Sequence, residues 1–294
     1  MVRHRNGAFV SDERYDEVRD MVICYVDMEH ESALRDPSKR SEHRAHCADV
    51  RQRLEGISGA ECIVQRYSAV TREGLDEMGA RALVLSGNVT DWEEYDEVDL
   101  REMYHIVREA PLPVLGICGG LQFIAMAHGA ALGPMRRLAT GEEDSNADYA
   151  PGYFKEWGFV PVTTLHPDPL FDGLESPTFL EAHYWEVKEV PTAFELLAST
   201  DVCRVQAIRR IGEPVYAIQF HPEAYILAPP ARHRTQTTAD GRGQSPRNGD
   251  AQGVEERRSW LVNLVYPEGY AERQPDGHRL LVNFFRIAGI EASR

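Results

Sequence analysis

The sequence predicts an α/β fold: a doubly wound, mostly parallel sheet with an antiparallel section. Three observations predict it. Short apolar, β-prone runs at 21–26, 61–67, 82–86 and 113–117 alternate with helix-like segments. After Ala130 the alternation stops, and strand-like runs follow one another with Pro and Gly between them. A cysteine flanked by glycines, in Gly116-Ile117-Cys118-Gly119-Gly120, stands where the fourth apolar run meets a helix-like run.

Taken in order, residues 1–20 are polar and read as an N-terminal arm. The run MVICYV at 21–26 is the first buried strand. An amphipathic helix is expected over 41–57, with Ala45, Ala48, Val50 and Leu54 near helical spacing. The second strand follows at 61–67, a short helix at 71–79 and the third strand at 82–86. A charged helix is expected over 93–109, with Val98, Met103, Ile106 and Val107 inward. The acidic stretch 91–99 reads as its solvated face. The fourth strand, 113–117, leads into the cysteine turn and a helix at 121–128.

The later strand-like runs are 157–165, 178–187, 196–200, 204–211 and 215–220. Residues 228–258 are polar and Gly/Pro-rich and have no apolar period, so a flexible insertion is expected there. The segment 259–294 ends in an amphipathic helix at 278–290, expected to complete the same domain as 21–227.

Composition excludes some functions. A net charge of −15 argues against nucleic acid or an anionic membrane as partner. No apolar run approaches the ~20 residues of a membrane span. Five cysteines without paired spacing and no apolar leader point to a reduced compartment, with the cytoplasm as the expected location.

The chemistry lies in two motifs. A turn from strand to helix between glycines places the Cys118 sulfur at a helix N-terminus, where unpaired N–H groups favour thiolate. Downstream, Gln219-Phe220-His221-Pro222-Glu223 supplies a base and, two residues on, a carboxylate that can orient it. Cys24, Cys47, Cys62 and Cys203 lack such flanks and read as core thiols. The polar run Asp27-Met28-Glu29-His30-Glu31 matches no zinc spacing.

These residues resemble the class I glutamine amidotransferase family, through its G-x-C-x-G-x-Q elbow and its F-H-P-E motif. The resemblance runs from about Met21 to Glu223. It implies a flavodoxin-like three-layer αβα fold, with Cys118 as nucleophile, His221 as base and Glu223 as orienting acid. It implies one oxyanion donor at Gly119 and a second from the turn after the third strand. That turn is Ser86-Gly87-Asn88 here against the family's Ser-Gly-Gly, so the second donor is Gly87 or Asn88. Gln122 is expected to help hold the substrate. So is the segment with His183, Tyr184 and Trp185, which corresponds to the family's S-H-x-D loop with Ala182 replacing Ser and Trp185 replacing Asp.

The implied activity is hydrolysis of the glutamine side-chain amide through a cysteine thioester, with no cofactor and no metal. About 70 residues follow Glu223, too few for a synthase domain, so the ammonia is expected to pass to a separate synthase partner. Two alternatives share the fold. One is a stand-alone hydrolase of γ-glutamyl peptides or amines, and the other a non-catalytic regulatory subunit.

Overall fold

The computed structural model describes residues 21–224 and 270–290. The arm at 1–20 and the insertion at 228–258 lie outside the described residues. An eight-stranded sheet forms the centre. Its strands are β1 (Val22–Asp27), β2 (Glu61–Arg66), β3 (Ala80–Leu85), β4 (Val114–Ile117), β7 (Thr163–Thr164), β10 (Phe194–Ser199), β11 (Ala207–Arg210) and β12 (Val215–Ile218). They lie in the order β2-β1-β3-β4-β12-β11-β10-β7. The first five positions are parallel to one another, and β11, β10 and β7 continue the sheet antiparallel. Two small antiparallel pairs stand apart: β5 (Leu132–Pro134) with β9 (Trp185–Val187), and β6 (Glu156–Pro161) with β8 (Thr178–His183).

Alternation within the strands separates two cores. Ile23, Tyr25, Ala82, Val84, Leu115 and Ile117 face one side. There they meet Val50 and Leu54 of helix α1 (Pro37–Ser58) and Leu280, Leu281, Phe284 and Phe285 of the last helix, α5 (Tyr270–Ile287). Cys24, Val26, Leu83 and Leu85 face the other side. They meet helices α2 (Arg72–Glu77), α3 (Glu97–Glu109) and α4 (Gly119–Ala127). The three layers follow from that split.

Capping chemistry moves two helix starts from their expected places. Helix α1 begins at Pro37 rather than at residue 41. Asp36 accepts from the N–H groups of Ser38 and Lys39, and proline fits the first turn. Helix α3 begins at Glu97 because Asp96 caps it, leaving Trp92–Glu94 as a separate 3-10 turn. The spacing places Val98 inward, yet it is 61% exposed, and Leu100 takes the buried position with Met103, Ile106 and Val107. The start of the helix fixes which residues share its inner face, so a shifted cap rotates the pattern. The acidic stretch 91–99 is likewise not one solvated face, since Trp92 and Tyr95 within it are buried.

Candidate active site

Strands β4 and β12 run side by side in register, with Ile117 opposite Ile218. The residues that follow their carboxyl ends therefore emerge together. Cys118 donates its N–H to the Ile218 carbonyl at 2.7 Å. Three residues past that carbonyl, the His221 N–H donates to the Leu180 carbonyl of β8 at 2.9 Å, which fixes where the imidazole starts.

Cys118 has φ 52° and ψ −105° and immediately precedes α4. A non-glycine residue at positive φ is strained, and the sharp turn holds it there. The neighbours must be small: a Cβ on Gly120 would lie 2.7 Å from the Leu85 carbonyl oxygen, and one on Gly119 would collide with the Asn88 side chain. The thiol sits at the start of the helix, 6% exposed. The Gln219 Nε2 donates to its sulfur at 3.5 Å.

His221 Nδ1 lies 2.8 Å from Glu223 Oε1. Burial alone would push the imidazole pKa down, but the charges of Glu223 and then Cys118 carry it well above its ordinary value. Burial would raise the Glu223 carboxyl, and the His221 charge overrides it and holds it below the usual range. A Cβ built on Gly87 would lie 3.2 Å from His221 Cε1 and 3.7 Å from Cys118 Sγ. Gly87, the thiol and the imidazole thus converge on one point. A thiol beside an imidazole whose far nitrogen faces a carboxylate can attack a polarised carbonyl and return a proton to the leaving group.

The turn after β3 needs no left-handed residue, because neither Gly87 nor Asn88 has positive φ. Asparagine in place of glycine is therefore unstrained. The Asn88 backbone nitrogen lies 3.0 Å from the position a Gly119 Cβ would take, and its Nδ2 donates to the Thr90 carbonyl at 2.6 Å.

Glu29, missed at the sequence level, clamps this loop. Its carboxylate accepts from Val89 N–H at 2.8 Å, Thr90 N–H at 3.3 Å and Thr90 Oγ1 at 2.6 Å. The only signal for it was its place in the polar loop after the first strand. Beside it, the Asp27 carboxylate takes Arg66 at 2.8 Å and His43 at 2.9 Å. Asp27, His43 and Cys47 bring ligand-type atoms within 4.8 Å of one another, but the Arg66 guanidinium already occupies the charge a cation would need.

A pocket opens beside Cys118, lined by Asn88, Asp91, Trp92, Gln122, Tyr149, His183, Tyr184 and Trp185 among others. Gln122 ties two walls together. Its Oε1 accepts from Trp92 Nε1 at 2.9 Å and its Nε2 donates to the Trp185 carbonyl at 3.2 Å. His183 reaches the pocket with both ring nitrogens already engaged. Nδ1 faces the Trp185 carbonyl at 2.9 Å, and Nε2 faces Glu156 at 2.9 Å and Glu181 at 3.3 Å. Its imidazole therefore has no free nitrogen for a substrate. Tyr149, which no motif marked, roofs the pocket with its ring 5.4 Å from Tyr184 at 88°. The four remaining cysteines are free and buried. Burial pushes the Cys24 and Cys62 thiols up to about 12.

No described helix is long and apolar enough to cross a membrane. The model of the family described as glutamine amidotransferase class-I matches residues 50–229. The glutamine-hydrolyzing GMP synthase subunit of Methanothermobacter thermautotrophicus is 32% identical over 154 residues, 52% of this chain and 66% of that one. The Pyrococcus abyssi protein of the same description is 31% identical over 162 residues, 54% of this chain and 71% of that one. Against four such curated relatives the chain spans 54% to 66% of their own length. A glutamine amidotransferase from Thermotoga maritima shares the fold with TM-score 0.53 and 14% identity, over 92% of this chain and 99% of that one. One from Methylobacillus flagellatus does so with TM-score 0.56 and 15% identity, over 92% and 96%.

Proposed function

We propose, for a chain that belongs to the class-I glutamine amidotransferase family, a cysteine-dependent glutamine amidohydrolase that passes ammonia to a separate synthase partner. The observation that carries the reading is the strained Cys118 at a helix N-terminus beside the His221–Glu223 pair. The Cys118 thiolate attacks the side-chain carbonyl carbon of glutamine. The Gly119 N–H and an N–H of the turn at Gly87 or Asn88 stabilise the oxyanion, each worth about 3 kcal/mol. The His221 imidazolium gives its proton to the departing ammonia and leaves a thioester. Water then attacks, His221 takes its proton, and glutamate departs. Glu223 keeps the ring oriented and its charged form stable throughout.

The separate partner rests on relatives that are themselves described as the glutamine-hydrolyzing subunit of a GMP synthase. Ammonia and glutamate release by the purified chain, alone and with a candidate synthase, tests the reading. Glutamine turnover that requires Cys118 and rises on adding the synthase supports it. Rapid turnover of γ-glutamyl peptides or amines with glutamine left intact would replace it with a stand-alone hydrolase.

A further inference from the structure

The pocket beside Cys118 has an unusual charge pattern. Its walls are aromatic, with Trp92, Tyr149, Tyr184 and Trp185 around it. Among the described lining residues Asp91 supplies the one carboxylate, and none is Lys or Arg. The charge on His183 is already balanced by Glu156 and Glu181, so it does not neutralise Asp91. The Tyr184 hydroxyl donates to Asp91 Oδ1 and fixes the carboxylate in place. The Tyr184 ring packs edge-on against Tyr149. Thr90, next to Asp91, is anchored by the buried Glu29.

A fixed carboxylate framed by aromatic faces recognises an ammonium, through Coulomb attraction and through the negative faces of the rings. A glutamyl group presents one, on the carbon that bears its carboxylate. Among the described lining residues, Asp91 is the group that can meet that charge. We propose that Asp91 is the specificity-determining residue that holds the α-ammonium of the glutamyl substrate, with Tyr184 as its positioning residue. The inference rests on the glutamine reading above. It adds that the site discriminates by the ammonium.

The test needs no turnover. Cys118 is labelled with a diazoketone analogue of glutamine and, separately, with the same diazoketone lacking the α-amino group, followed by intact mass. In the wild-type chain the amino-bearing probe reacts at least about tenfold faster at limiting concentration. Asp91→Asn, which keeps an acceptor for Tyr184, brings the two rates within about twofold. Asp91→Glu restores part of the preference. Thermal midpoints of the variants show that they fold. A preference that persists in Asp91→Asn overturns the inference and leaves the glutaminase reading standing. Failure of both probes to label the wild-type chain overturns both.

Discussion

Cys118, His221 and Glu223 have a counterpart elsewhere in the chain: Cys203, His183 and Glu156 are the same three residue types, with ligand-type atoms within 4.8 Å of one another. In the first set the imidazole turns one nitrogen to Glu223 and leaves the other for the thiol. In the second, His183 spends both nitrogens, one on the Trp185 carbonyl and one between Glu156 and Glu181. Burial and then the charge of Glu156 push the Cys203 thiol far above its ordinary value. Cys118 instead sits at positive φ before a helix. Residue type therefore does not make a catalytic set. An imidazole nitrogen turned to the thiol, a helix N-terminus and an opening to a pocket distinguish the proposed reactive set from the one whose groups are all engaged with one another.

Replacing the two cysteines gives the largest expected contrast. Cys118→Ala should lower ammonia release from glutamine by at least about 10⁴-fold, as loss of a nucleophile does. Cys203→Ala should leave turnover within about threefold and act on stability, at a cost near 1 kcal/mol. Equal loss in both would dissolve the distinction.

The carboxylates should separate the two sets along a different axis. Glu223→Gln is expected to lower kcat by about 10²–10⁴-fold with the fold retained, because the imidazole loses its orientation and counter-charge. Glu156→Gln should show the reverse pattern. Glu156 accepts from Gln206 at 2.6 Å and Thr200 at 2.5 Å as well as facing His183, so its loss leaves a buried network broken. A drop of several degrees in Tm with kcat nearly kept is expected, measured by calorimetry and steady-state kinetics on the same preparations. A catalytic effect of Glu156→Gln as large as that of Glu223→Gln would place the second set in the reaction path.

A smaller effect is expected from the loop that both oxyanion candidates share. Glu29→Gln removes the charge from a carboxylate that accepts from Val89 and Thr90. Kcat should fall about 10- to 100-fold, less than for deleting a donor outright, because the backbone is loosened rather than removed. An unchanged kcat would show that the turn at Gly87 and Asn88 holds itself.

What could be read from sequence follows the same division. Strand and helix alternation over the first 130 residues, the elbow and the F-H-P-E pair were legible because each is local. A period, a glycine flank or a two-residue spacing leaves its mark in neighbouring letters. Glu29, Tyr149 and Asp91 were not legible as site residues, since each reaches the pocket or its loop from a segment without a period. Asp91 reads in sequence as part of a solvated helix face, because a 3-10 turn before α3 is not marked by any apolar spacing. The motif marked His183 as part of an expected substrate loop, but its engagement with Glu156 depends on the β6–β8 pairing across 27 residues of sequence. Long-range partners of a buried charge are the part of a site that spacing cannot report.

That buried charge also gives the smallest predicted effect. Burial would lower the His183 pKa, but Glu156 and Glu181 together push it up to about 10. A raised folded-state pKa means that the folded chain holds the proton more tightly than the unfolded one. The contribution is complete below the unfolded value near 6.5 and is lost as pH rises toward about 10. Glu181, raised to about 6 chiefly by burial, loses its own contribution as pH rises from about 4.5 to about 6, below this window. His43, pushed up to about 10 beside Asp27 and Cys47, falls away in the same alkaline window as His183. His221, whose pKa Glu223 and then Cys118 raise against burial, adds a contribution of the same sign. The wild-type melting curve therefore sums several histidines, and the difference between two chains isolates one. His183→Gln should be less stable than wild type at pH 8, with two buried carboxylates left unbalanced, and its Tm should fall by a few degrees less than wild type between pH 8 and 10. Parallel Tm curves over that range would mean that His183 is neutral in the folded chain. The contrast with His221 would then rest on the geometry of the ring nitrogens alone.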